Sequence, residues 1–149
     1  MWNPWVILGL ALSLAGCGGG ASLTGLAPVT GKVTLDGQSL GSTQVIFVPT
    51  GTEGRACSAQ TDASGNYELV TNTDKGAMPG SYKVTVSRMT LPDGNVPTGL
   101  AEGMDLGQLE ASGRVKESLP PRYSILEQTE LKFDVKSGGK NEYNIDLKK

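Results

Sequence analysis

About seven short runs of alternating apolar and polar residues, each closed by glycine, proline, aspartate or asparagine, point this chain towards β-structure. In Val29 to Leu35, Val29, Val33 and Leu35 share one side while Thr30, Lys32 and Thr34 take the other, the pattern of a half-buried strand. Asp36-Gly37 is a tight-turn pair. Thr43 to Pro49 is apolar on both parities, as expected of a central strand covered on both faces, and Pro49 ends it. Arg55 to Thr61 is a weaker strand with Cys57 and Ala59 on one side. In Thr61 to Leu69, Asp62 is placed to bond turn amides and Gly65 to take positive φ, delivering Tyr67 and Leu69 to the core. Pro79-Gly80 suits a type II turn before Ser81 to Met89, where Tyr82, Val84 and Val86 alternate with Lys83, Thr85 and Ser87. Thr129 to Lys136 and Asn141 to Lys148 flank Ser137-Gly138-Gly139-Lys140, which predicts a closing hairpin.

Between these runs, residues 90–118 lose all period, with only a hint of helix from Leu100 to Ala111 that Gly103 and Gly107 weaken. The expectation is therefore an all-β domain, a single seven-stranded immunoglobulin-like β-sandwich over residues 28–149 with an insert at 90–118. Long structureless inserts on a rigid scaffold commonly carry function. Leu91, Asp93, Asn95, Met104, Arg122 and Tyr123 form the candidate binding loop, with Tyr123 the one tyrosine expected to be free. Tyr67, Tyr82 and Tyr143 lie on inward parities and are expected in the core.

The chain opens on an apolar run from about Trp5 to Ala15, short of the roughly 20 residues a spanning helix needs and suited to a signal peptide. Its end, Leu14-Ala15-Gly16-Cys17, resembles the lipobox of bacterial lipoproteins. That resemblance implies cleavage between Gly16 and Cys17, removal of residues 1–16 and lipid on Cys17 as the membrane partner. Gly18, rather than aspartate, after the cysteine favours the outer membrane in a cell that has one. The first four residues depart from the usual pattern in carrying no lysine or arginine. Residues 17–27, rich in glycine, read as a flexible tether reaching roughly 15–20 Å.

Three further stretches, Val29-Thr30-Gly31-Lys32-Val33, Thr61 to Leu69 and Pro79 to Val86, together resemble the carboxypeptidase regulatory-like family of transthyretin-like sandwiches. The layout, with Leu119-Pro120-Pro121-Arg122-Tyr123, also resembles short bacterial lipoproteins built from one such domain. The resemblance implies a non-catalytic accessory or binding module, with an envelope protein or glycan as partner and no peptidase activity.

Composition narrows the chemistry. There is no histidine, which removes Ser-His-Asp and Cys-His catalysis and histidine metal sites. A formal charge of −2 offers no basic patch for nucleic acid. Only Cys17 and Cys57 are present, so a lipidated Cys17 leaves Cys57 without a disulfide partner and reads it as a small buried residue. Ser137 and Lys140 have the spacing of an acyl-enzyme pair but sit in a Gly-Gly turn rather than on a helix. The resemblance to related cell-surface sandwiches, which can carry a Lys–Asn isopeptide staple between first and last strands, makes Lys32 with Asn141 or Asn144 the candidates, but Lys32 and Asn144 are on outward parities. Asp62, Asp74, Asp93 and Asp105 invite calcium, yet no D-x-D-x-D-G loop occurs and turn roles account for them. Both tryptophans, Trp2 and Trp5, precede Cys17, so a carbohydrate platform of stacked indoles is not expected. No cofactor follows. The expected function is a membrane-anchored, non-catalytic binding module of the cell envelope. The rivals are a laterally assembling structural protein and a carboxylate-dependent hydrolase.

Overall fold

A computed structural model describes residues 23–97 and 106–149. The elements, in chain order, are β1 (Val29–Leu35), β2 (Gln38–Ser39), β3 (Gln44–Pro49), β4 (Cys57–Gln60), β5 (Asn66–Glu68), β6 (Val70–Thr71) and β7 (Asp74–Lys75). There follow β8 (Gly80–Ser87), β9 (Met89–Thr90), α1 (Leu106–Ala111), β10 (Lys116–Glu117), α2 (Pro121–Ser124), β11 (Lys132–Val135), β12 (Asn141–Glu142) and β13 (Ile145–Leu147). The protein is an all-β sandwich. One sheet runs β11-β8-β3-β4-β6-β7. The other is built around β1. β12 and β13 pair with it in parallel and in one register, Val29 opposite Asn141 and Val33 opposite Ile145, so both lie along one edge. β2 and β5 pair antiparallel along the opposite edge.

The alternation read from the sequence is what closes the two layers. Val29, Val33, Ile145 and Leu147 from one sheet meet Val45, Phe47, Tyr82, Val84 and Val86 from the other in one buried cluster. Each such side chain contributes about 1.5–3 kcal/mol relative to exposure. Gln44, Ile46 and Val48 point the other way on β3, where Ile46 and Val48 are only half-buried; this central strand has one covered face, not the expected two. Asp36 and Gly37, at φ 50 and 83, turn β1 into β2 as their residue types require. Gly80 has φ 149 and already pairs with Val135 as the first residue of β8, so Pro79-Gly80 does not make the expected type II turn.

Two departures come from strands changing layer. The chain passes from one sheet to the other at Leu69, between β5 and β6. The two closing runs form no hairpin: β11 pairs with β8, whereas β12 and β13 pair with β1. Their apolar faces therefore oppose each other across the core, with the Phe133 and Tyr143 rings stacked at 4.6 Å. The arch between them, with Gly138 at φ 74, is sealed by the buried Asn141 side chain. Its Oδ1 accepts from Lys136 N–H at 2.8 Å, and its Nδ2 donates to the carbonyls of Pro28, Lys136 and Gly139.

The ladder between β1 and the last strand is interrupted at Tyr143-Asn144, and side chains replace the missing bonds. Asn144 Oδ1 accepts from Lys32 N–H at 3.0 Å, and the Tyr67 hydroxyl donates to the Tyr143 carbonyl at 2.6 Å. Gly31 sits directly beneath, where a Cβ would overlap the Tyr143 carbonyl and lie 2.8 Å from the Tyr67 ring.

Candidate functional site

The strands run between two poles. At one pole, β1 begins next to the Ala27–Ala77 bridge, and Leu23 N–H donates to Asp74 Oδ2 at 2.9 Å. At the other, β1 ends in the Asp36-Gly37 turn, and β8 ends at Ser87 opposite Gln44. The insert leaves and returns at this second pole, through the antiparallel pair of β9 and β10.

Glu117 fastens the base of the insert. Its carboxylate accepts from Ser87 Oγ at 2.6 Å, from Arg88 N–H at 3.0 Å and from Leu119 N–H at 2.9 Å. Ser118 N–H and Oγ both donate to the Arg88 carbonyl, and Arg88 Nε reaches the Gly41 carbonyl at 3.3 Å. Val115 is buried, and α1 turns back into it through Arg114 N–H bonded to the Leu109 carbonyl. The described part of the insert is thus an attached substructure, and α1 occupies part of the stretch where helix was hinted.

The candidate loop residues do not converge. Leu91, Asp93 and Asn95 form one compact turn: Leu91 N–H donates to the Asn95 carbonyl, and Asp93 accepts from Asn95 N–H at 3.0 Å and its Nδ2 at 2.9 Å. Those bonds hold the exposed Asp93 carboxyl below its ordinary 3.8. Met104 lies outside the described residues, as does Asp105. Arg122 and Tyr123 belong elsewhere. Arg122 donates to the Lys148 carbonyl at 2.7 Å, Lys148 N–H donates to the Tyr123 hydroxyl at 3.1 Å, and the guanidinium lies 5.1 Å from the Tyr123 ring centroid. The pair therefore closes the outer edge beyond β13 in place of a neighbouring strand. Tyr123, expected to be free, is half-buried with its hydroxyl engaged, and the accepted N–H lowers its pKa. Tyr67 and Tyr82 are buried; Tyr143 is half-buried against the core.

Of the turn residues, Asp62 and Gly65 make the turn expected of them, unlike Pro79-Gly80. Asp62 Oδ1 accepts from Ser64 and Asn66 N–H, each at 2.9 Å, which lowers its pKa, and Gly65 has φ 81 with no room for a side chain against the Val33 carbonyl. Beside it, on the outer face of the β1 sheet, is an open groove of about 940 Å³ lined by Thr30, Lys32, Asn66, Glu142, Asn144 and Asp146 among others. Several of its side chains bond one another, Thr34 to Asp146 and Asn144 to Glu142, and Lys148 from outside the groove pairs with Asp146. Among the described residues no group of three or more metal-binding side chains is close enough to hold an ion. Cys57, the one described thiol, is buried beside Thr71, and burial pushes its pKa up to about 11, which makes it a poor nucleophile at neutral pH. Ser137 and Lys140 are exposed in the arch. The Lys32 side chain is exposed, and only its main-chain N–H meets Asn144. Neither Glu117 nor the arch role of Asn141 carried a motif that sequence reading could use alone.

The sequence matches no known family profile and no curated protein. Among solved structures it is similar to a DUF3823 family protein from Parabacteroides merdae ATCC 43184, at 18% identity and a TM-score of 0.39, over 80% of this chain. The match spans 44% of that chain's length. No helix among the described residues is long and apolar enough to cross a membrane.

Proposed function

We propose that this protein is a non-catalytic binding or accessory module of the bacterial cell envelope, held to a membrane through lipid on Cys17. In this reading it is a lipoprotein carrying a domain of the carboxypeptidase regulatory-like kind. The supporting observation is the separation of the two poles. Chain entry, tied down at Leu23 and Ala27, and the base of the insert at Glu117 lie at opposite ends of β1 and β8. A seven-residue strand covers about 23 Å. A tether attached at the entry pole would then direct the Leu91–Asn95 turn away from the bilayer, where a partner protein or glycan is met. An outer membrane is the favoured site in a cell that has one.

The test is crosslinking in living cells with protein at its native level, comparing the natural chain with one in which residues 92–114 are replaced by a short glycine linker. The β9–β10 pairing stays in place, so the sandwich should keep its melting temperature. The reading expects one dominant crosslinked partner that disappears with the replacement. Retention of that partner would move the binding surface off the insert.

A further inference from the structure

We propose that β11 is a docking edge for a second copy of this chain, joining two sandwiches through an antiparallel β11–β11 pair about a two-fold axis. The inference does not depend on the lipid anchor. Hydrogen-bond parity exposes the edge. Val84 N–H donates to the Leu131 carbonyl at 2.9 Å, and the Ser81 carbonyl accepts from Thr50 N–H on the far side of β8. With Lys132 opposite Lys83 and Asp134 opposite Ser81, alternation directs the main-chain N–H and C=O of Lys132 and Asp134 away from β8. No described residue bonds these groups. The free edge is short. At Lys136 it is closed by Asn141, which takes both the N–H and the carbonyl.

What selects a second copy is the charge order along the edge. Glu130, Lys132, Asp134 and Lys136 alternate in sign and are all exposed. In an antiparallel pair that sets Lys132 opposite Asp134 of the second copy, both pairs along the free edge are of opposite charge, and Glu130 falls level with Lys136 just beyond its closed end. Moving the register by two residues in one direction sets Lys132 opposite Lys132 and Asp134 opposite Glu130. Moving it in the other sets Asp134 opposite Asp134 and Lys132 opposite Lys136. Both neighbours are penalised by like charges, so the register that pairs both free residues with opposite charges is favoured over them. In that register Phe133 lies beside Phe133 of the second copy. There it covers the half-buried Phe133–Tyr143 stack at the rim of the core. Such an interface is isologous and closes on itself.

Sedimentation equilibrium of the full chain in mild detergent tests this with Lys132→Glu, Asp134→Lys and the double exchange Lys132→Asp with Asp134→Lys. The natural chain should form a reversible dimer. Each single reversal should raise its dissociation constant about tenfold or more, and the double exchange should restore it to within about threefold. All four chains share the same N-terminal segment, so association unchanged by the single reversals belongs to another surface and overturns the proposal. A natural chain that stays monomeric up to about 100 µM, well above the working range of specific dimers, overturns it too. Hydrogen exchange on the natural chain needs no variant. The Lys132 and Asp134 amides should be protected in concentrated protein and lose protection on dilution, and fast exchange at both concentrations contradicts the pairing.

Discussion

Gly31 shows how one residue can hold the geometry on both flanks of β1. Its missing side chain lets the Tyr143 carbonyl approach β1, and Tyr67 then supplies the hydrogen bond that the interrupted ladder cannot. Gly31→Ala should cost about 2–4 kcal/mol, read as a fall in denaturant midpoint, because backbone atoms rather than a flexible side-chain end must move. Cys57 gives a second expectation. Its folded pKa is raised from 9.0 to about 11 by burial, so the protonated thiol favours the folded state. That contribution is complete below pH 9 and is lost as pH rises towards 11. Stability of the natural chain should fall across this alkaline window more steeply than that of Cys57→Ala; equal slopes would contradict the assignment. Alternation alone revealed which residues face inward, including Val33, Tyr67 and Leu147. It was silent on Gly31, because a glycine inside a strand pattern signals close approach without naming what approaches.

At the scale of elements, the closing arch and the insert base carry the specific bonds. Asn141→Asp keeps the shape of the side chain but removes the Nδ2 donor to three carbonyls. It should lower stability by about 1–3 kcal/mol at neutral pH, measured by urea unfolding. Glu117→Gln replaces one accepting oxygen with a donor facing N–H or O–H groups. Exchange of amides in residues 89–117 should quicken about tenfold while the global melting temperature changes little, since the opening is local. The sequence made a hairpin of the last two runs because period two looks the same whichever strand is the neighbour. Asn141, two positions after Gly-Gly, is a polar residue on the inward parity, but without a motif that parity alone does not distinguish an arch from a hairpin. Arg122 and Tyr123 were read as loop residues because no period marks a side-chain pair that stands in for a strand.

At the scale of the whole molecule, the fold separates what ties the chain down from what it displays. Entry at Leu23 and Ala27, the lateral edge at β11 and the insert base at Glu117 occupy three different sides of one sandwich. The proposed anchoring, pairing and partner capture would then not compete for surface. The sandwich was legible from turn residues and alternation, whereas the parallel union of the first and last strands was not, since nothing local encodes it. The proposed lipid anchor is open to mass spectrometry of the N-terminal peptide of protein recovered from cell membranes. The expected peptide begins at Cys17 and carries the mass of two or three acyl chains. A peptide beginning at Met1 with an unmodified Cys17 would contradict it.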